Sequence, residues 1–323
     1  MRKLLPDDTW NNLYYPPPNY VYFEGSDRFG FEPGARDFSW RNAWWLAEAS
    51  LLAYVQDRTW GEIKAILVKA GFEDAKQIGP DPAKSTKGFM AWRSDPAPFA
   101  IVAFRGTDKG DPRTLTTDED LEPEARDGYT AHRGFLKALD QVWDAEVAPA
   151  LSAFLRSHPD APVYFTGHSL GAALATISVA RFQGPVGALY TIGSPRVGDD
   201  RFVRAVLQKT QQVFRFVNCQ DIVTQIPPEV PLAHYYRHVG AERYITRAGD
   251  ILDHPSDFEK WVDVTPGIVE HDGAACISDV AHPATFVSLA KEREGLVDPP
   301  PYLVGNHTPA RYAIQIWNHY SGT

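Results

Sequence analysis

Apolar residues follow two different periodicities along this chain, and the alternation between them is the first clue to its architecture. Between Trp40 and Gln56, Trp44, Leu51, Leu52 and Val55 recur at helical spacing, with Ala47, Ala49 and Ala53 between them. A second amphipathic stretch runs from about Ile63 to Ala70 and stops at Gly71. Phe135, Leu139, Val142, Trp143, Val147, Leu151 and Leu155 predict one long helix. Against these stands the unbroken apolar run Ala100 to Phe104, and Val163 to Thr166, Ala188 to Ile192 and Val213 to Val217 read as three further short buried strands. A run without polar alternation suits a strand buried on both faces. Strands alternating with helices predict an α/β fold with a central, mostly parallel sheet and helices on both faces. Residues 1–38 are rich in proline, glycine and aromatics and predict an extended arm packed on the body. Residues 39–323 then form a single domain, with no internal repeat.

Composition narrows this picture without changing it. Of the 323 residues, 44% are hydrophobic and 23% charged, as in ordinary globular proteins. A formal charge of −9 argues against a nucleic-acid partner, which would call for a basic face. No apolar run approaches the roughly 20 residues that span a bilayer. Met1-Arg2-Lys3-Leu4-Leu5 leads straight into Pro6-Asp7-Asp8, without the apolar core of a signal peptide. The expectation is a cytoplasmic protein, or a secreted one whose leader has been removed. Cys219 and Cys276 are too few for a disulfide framework or a thiolate metal site. Two reduced buried thiols are expected, with one disulfide between them as the alternative.

Gly167-His168-Ser169-Leu170-Gly171 is the richest stretch chemically. It follows the β-prone Val163 to Thr166 and precedes the small, helix-compatible Ala172 to Ile177. A serine on a sharp strand-to-helix turn presents its Oγ clear of the backbone, and the helix start supplies N–H groups to a developing oxyanion. Such a nucleophile needs a base and an acid to orient it, in the chain order serine, acid, histidine. Asp221, just beyond a buried strand, is the best acid; its alternative is a loop-capping aspartate. Seven histidines follow it: His234, His238, His254, His271, His282, His307 and His319. His307, in a Gly305-Asn306 turn before the helical stretch Ala310 to Trp317, leads as base; His282, ahead of Pro283, is the runner-up. The Leu170 backbone N–H is the natural first oxyanion donor. Thr107, in the turn Phe104-Arg105-Gly106-Thr107, is the candidate second, unless that turn is an ordinary strand end.

Further segments make the pattern specific: His132-Arg133-Gly134-Phe135, Ile192 to Gly198, Asn218 to Asp221 leading to Pro227-Pro228, His238-Val239-Gly240, and His307 with Tyr312. With Phe104 to Thr107 and Thr166 to Ala173, they fall in one order over roughly residues 100–320. In this the chain resembles the class 3 lipases, and the expectation is a bacterial-type member of that family. The resemblance implies an α/β-hydrolase fold and carboxylic ester hydrolysis through an acyl-enzyme. It implies Ser169 as nucleophile, Asp221 as acid and His307 as base, with Thr107 and Leu170 at the oxyanion. It selects His307 because the family's histidine stands five residues before an aromatic, here Tyr312. His238 and His132 become framework positions. No cofactor or metal is expected; the partner is a lipid or small-molecule ester, with at most transient contact with a lipid surface.

Two departures stand out. The interval from Asp221 to His307 is long for the family and predicts an insertion somewhere between about 245 and 300. Residues 108–131 fall where interfacially activated members carry an amphipathic lid. Here residues 115–127 carry six carboxylates (Asp118, Glu119, Asp120, Glu122, Glu124, Asp127) against one arginine, Arg126. Such a run, if not simply a solvated face, suits a membrane surface poorly and points to soluble or short-chain esters. Two rivals remain: a phospholipase or feruloyl-type esterase on the same scaffold, and a binding module that has lost the chemistry. A complete triad argues against the second.

Overall fold

The four strands expected from the sequence form the centre of an eight-stranded sheet. The computed structural model describes residues 2–4, 15–16, 19–55, 59–107, 122–219, 221–227, 236–257, 259–260, 263 and 306–322. In chain order the elements are α1 (Trp40–Leu52), α2 (Trp60–Lys69), β1 (Asp74–Ile78), β2 (Gly88–Arg93) and β3 (Phe99–Phe104). The hairpin β4 (Pro123–Arg126) and β5 (Tyr129–His132) leads into α3 (Arg133–Asp140) and α4 (Ala148–Ser157). Then come β6 (Val163–His168), α5 (Leu170–Arg181), β7 (Val186–Ile192), α6 (Asp200–Lys209) and β8 (Val213–Asn218). The last elements are β9 (Ala241–Ile245), β10 (Ile251–Asp253) and α7 (Pro309–Gly322).

The sheet runs β1-β2-β3-β6-β7-β8-β9-β10. Its middle, from β3 to β9, is parallel; β1, β2 and β10 add to the edges antiparallel. This is the expected α/β-hydrolase arrangement, with antiparallel edge strands β1 and β10 whose mixed polarity carried no clear signal. Alternate side chains feed two separate cores. Val102, Phe104, Val163 and Phe165 pack with Leu136, Leu174 and Phe202 on one side. Ile101, Tyr164, Tyr190 and Phe216 pack with Trp44, Trp45, Tyr312 and Ile316 on the other. Helices α3 to α6 thus cover one face, and α1 and α7 the other.

Two local features differ from expectation. α2 begins three residues before Ile63, because Thr59 and Glu62 form a capping box that closes the free N–H groups of its first turn. Losing such a cap costs about 1 kcal/mol. The single helix expected from Phe135 to Leu155 is broken. It is replaced by α3, a wide turn at Trp143–Val147 in which Val147 N–H bonds the Val142 carbonyl at 3.1 Å, and α4. Pro149 stands in the first turn of α4, where its missing N–H is harmless; inside one continuous helix it would break the ladder.

The described residues before Ser39 form no helix or strand, yet Tyr22, Phe23 and Phe31 are buried in the α1 and α7 core. Glu48, fully buried on α1, accepts from Tyr20 Oη at 2.9 Å and the Phe23 N–H at 3.3 Å, and pairs with Lys3 Nζ at 3.2 Å. A buried carboxylate is tolerable only with such partners. The expected insertion falls largely outside the described residues, as does Cys276; Cys219 is buried.

Candidate active site

Pairing in the sheet brings Phe104 beside Gly167, His168 beside Ile192 and Ile192 beside Phe216. The carboxyl ends of β3, β6, β7 and β8 therefore share one edge. The residues that follow them, Thr107, Ser169, Gly193 and Asp221, leave from that edge, where open α/β sheets gather their functional groups.

Ser169 occupies the turn between β6 and α5 with φ 58° and ψ −128°, a conformation L-residues avoid. Its N–H donates to the Ile192 carbonyl at 3.0 Å, and its carbonyl accepts from Ala172 at 3.0 Å. Holding a serine there costs of order 1–3 kcal/mol, which the surrounding sheet must supply. The two elbow glycines are steric necessities. A Cβ on Gly167 would collide with the Gly171 backbone, and one on Gly171 with the Phe104 carbonyl. Leu170 opens α5, so its N–H has no partner within the helix.

Asp221 and His307, 86 positions apart, meet in the interior: His307 Nδ1 lies 2.9 Å from Asp221 Oδ2. Their side chains are 3% and 0% exposed, so the pair is shielded from water. A carboxylate only accepts, so Nδ1 donates and Nε2 of the neutral ring keeps its lone pair. His307 Nε2 is buried with no hydrogen-bond partner among the described residues. The other carboxylate oxygen, Oδ1, accepts the Val223 N–H at 2.9 Å and caps the short turn Ile222–Gln225. The capping role and the histidine contact are thus both present, one on each oxygen. Gly193 joins the pair to the elbow: a Cβ there would stand 3.0 Å from Asp221 Oδ2 and 3.2 Å from His307 Nδ1.

Tyr312 is a participant that the sequence suggested only as a marker. Its hydroxyl donates to Asp221 Oδ2 at 2.6 Å and accepts the Asn218 N–H at 2.6 Å. Burial, reinforced by the Asp221 carboxylate, holds its phenol well above the usual range, so it stays a donor. The five-residue offset from His307 was the available signal, because it carries Tyr312 one turn into α7.

Among the other histidines, His238 donates Nε2–H to the Thr224 carbonyl at 2.8 Å, beneath the turn that Asp221 caps. His132, at the start of α3, stacks on Phe135 with ring centroids 3.9 Å apart. His319 packs on Trp40, and the His254 N–H bonds the Glu242 carbonyl. His234, His271 and His282 lie outside the described residues. Thr107 is half-buried, three residues beyond the end of β3, and residues 108–121 lie outside the described part. From the acidic run, Glu122 pairs with Arg133, and Arg126 pairs with Glu124 at 2.6 Å and Asp140 at 2.8 Å. Among the described residues, no cluster of His, Cys, Asp or Glu is arranged to hold a metal ion. Nor is any described helix long and apolar enough to cross a membrane.

Comparison with known proteins points the same way as this geometry. Residues 101–230 match the model of the family Lipase (class 3). The secreted mono- and diacylglycerol lipase 1 of Fusarium solani is 34% identical over 165 residues, covering 50% of this chain and 48% of that protein. A lipase of Rhizomucor miehei is 34% identical over 167 residues, covering 49% of this chain and 44% of that one. The chain thus spans about half the length of the curated relatives it matches. The crystal structure of a lipase from Rhizopus microsporus var. chinensis superposes with a TM-score of 0.50 at 29% identity, covering 63% of this chain and 71% of that one. These relatives are fungal, and the expectation of a bacterial-type member finds no support in them. Over residues 101–230, on an α/β-hydrolase fold, this chain carries the pattern of the class 3 lipase family.

Proposed function

We propose that this protein is a serine-dependent carboxylic ester hydrolase, acting on acylglycerols or on short- to medium-chain esters through an acyl-enzyme. The observation that carries the reading is the buried Asp221–His307 pair, whose Nε2 stays unpartnered beside a serine elbow held in a strained conformation.

In the first half-reaction Ser169 Oγ attacks the ester carbonyl carbon while His307 Nε2 takes its proton. Asp221 holds the ring through Nδ1 and stabilises the imidazolium that forms. The carbonyl oxygen becomes an oxyanion, stabilised by the Leu170 N–H and by Thr107. Collapse breaks the bond to the alcohol, which leaves with the proton from His307. A water deprotonated by His307 then attacks the acyl carbon, the bond to Ser169 Oγ breaks, the acid leaves, and His307 returns the proton to Oγ. Every proton moves through one ring, so no cofactor enters the sequence.

Thr107→Val keeps the shape and the backbone N–H but removes the hydroxyl. Its kcat should fall by about 10² to 10³, the usual loss for one oxyanion donor. KM should hardly move, since the bond matters once negative charge has developed. Steady-state kinetics on a p-nitrophenyl ester check this, and an unchanged kcat removes the hydroxyl from the oxyanion site.

The acidic run at 115–127 supports dissolved short-chain esters as substrates, because carboxylates resist leaving water at an oil or anionic lipid surface. Initial rates on tributyrin, measured across its solubility limit, should show no jump; a sharp rise above that limit returns the protein to interfacial activation. We read residues 39–323 as the hydrolase domain, 1–38 as an arm on it, and the interval around 245–300 as an insertion. The Fusarium relative is a secreted protein, which favours a secreted setting here. Rates against p-nitrophenyl esters of increasing chain length test the reading as a whole: hydrolysis strongest at short and medium chains supports it, and none at any length refutes it.

A further inference from the structure

His168, the residue between Gly167 and Ser169, is fully buried, and both of its ring nitrogens are engaged. Nε2 lies 2.5 Å from the main-chain carbonyl of His307, and Nδ1 lies 2.7 Å from Tyr54 Oη. The two contacts cross 139 and 114 positions of sequence, so they join three separate parts of the fold. A carbonyl oxygen cannot donate, so Nε2 carries the proton. Burial, with a smaller contribution from nearby His307, holds His168 well below the usual histidine range, and the ring is neutral. Nδ1 therefore has a lone pair, and the Tyr54 O–H donates to it.

From this geometry we infer that Tyr54 and His168 are positioning residues for the proposed base, a Tyr54–His168 relay that clamps the backbone of His307 while Asp221 holds its ring. The inference rests on the hydrolase reading of the site. Three observations support it. First, the His168 tautomer is matched at both ends: with the proton moved to Nδ1, the Nε2 lone pair would face the lone pairs of the His307 carbonyl. Second, the His168 and His307 rings lie against each other, with centroids 4.5 Å apart and planes at 36°. The relay therefore fixes one face of the base as well as its backbone. Third, the Tyr54 oxygen occupies the space in which a Cβ on Gly106 would stand, and that same Cβ would lie 3.0 Å from Ser169 Cβ. The phenol thus also abuts the turn leading to Thr107, and any larger residue at 106 would push the relay and the elbow apart.

The chemistry explains why such a clamp matters. Asp221 restrains His307 at Nδ1 and leaves the ring free to swing about that bond. The His168 ring against its face limits that swing, while the anchor on the backbone fixes where the side chain starts, and together they hold the approach of Nε2 to Ser169. Misplacement of a catalytic group by about 1 Å can cost 10²-fold in rate. Tyr54 and His168 touch neither substrate nor the transferred proton, so their removal should affect kcat rather than substrate binding.

The test compares Tyr54→Phe, His168→Ala, His168→Gln and the double variant Tyr54→Phe/His168→Ala on p-nitrophenyl butyrate, with thermal melts to confirm folding. Tyr54→Phe keeps the buried ring and loses only the donor; kcat should fall about 10- to 100-fold with KM little changed. His168→Gln, whose side-chain N–H can still reach the His307 carbonyl, should retain clearly more activity than His168→Ala. The double variant should be no slower than His168→Ala alone, since Tyr54 acts through His168. Wild-type kcat in Tyr54→Phe, or losses that multiply in the double variant, overturn the relay. If His168→Ala does not fold, Tyr54→Phe alone decides through its kcat. A wild-type enzyme with no esterase activity refutes the hydrolase reading instead, and the two failures are distinct.

Discussion

Ser169→Ala is expected to lower kcat by about 10⁴ to 10⁶ while leaving the melting temperature unchanged or raised, because members of such a unit fail together. Oγ is the only atom removed, and the elbow that holds it stays intact: Gly167 and Gly171 still let the strand and helix approach, and the residue 169 N–H still bonds the Ile192 carbonyl. The backbone strain at φ 58° also remains, so the variant shows little of the stabilisation that relief would give. KM should be nearly that of the wild type, since the hydroxyl contributes in the transition state more than in ground-state binding. Kinetics on a p-nitrophenyl ester beside a thermal melt check both halves. Appreciable turnover in a folded Ser169→Ala protein removes the serine from the mechanism.

Asp221→Asn should be nearly as damaging, about 10⁴-fold in kcat, and for a reason visible in its contacts. Oδ2 accepts from both His307 Nδ1 and Tyr312 Oη, and Oδ1 accepts from Val223 N–H. Every position around this carboxylate therefore holds a donor. An asparagine must turn its amide N–H groups toward one side or the other. Facing His307, they force the ring to put its proton on Nε2, the atom that should receive the serine proton. Facing Val223, they break the cap of the Ile222–Gln225 turn. Either orientation leaves a buried donor unsatisfied, so stability should fall by about 1–3 kcal/mol as well. Separate measurement of kcat and of denaturant midpoints distinguishes the two losses. Asp221→Asn with near-wild-type kcat contradicts the assignment of the acid.

What could be read from the sequence, and what could not, follows from how local each signal was. The central strands were legible because burial on both faces writes them as apolar runs, unbroken at Phe99–Phe104 and interrupted only by Arg215 at Val213–Val217. The outer strands were not: Asp74–Ile78 reads Asp-Ala-Lys-Gln-Ile and Ala241–Ile245 reads Ala-Glu-Arg-Tyr-Ile, with polar positions interspersed and too few apolar ones to fix a period. The continuous helix predicted over 135–155 instead ends at Asp140 and widens at Trp143–Val147, ahead of Pro149, which can open a helix but not continue one despite the apolar stripe. In the site, Ser169 was marked by its glycines. The partnering of Asp221 with His307 crosses 86 positions, and residue types alone left His282 beside His307 as base. Only the resemblance singled out His307. Tyr54 and the ring of His168 carried no local signal, since Tyr54 follows the end of α1 and His168 is the variable residue of the elbow. Their contacts exist only once β6, the turn after α1 and the loop before α7 are folded together.

The central claim, that the fold activates Ser169 as a nucleophile through His307, is tested most directly by labelling with a fluorophosphonate. The reagent bonds through phosphorus to an activated serine Oγ and expels fluoride, so it needs the nucleophile and its base but no knowledge of the natural ester. Intact-protein and peptide mass spectrometry should show one adduct per chain, mapped to Ser169, and labelling should collapse in His307→Ala. No adduct on folded wild-type protein, an adduct on a different serine, or labelling that persists at full rate without His307 would contradict the account.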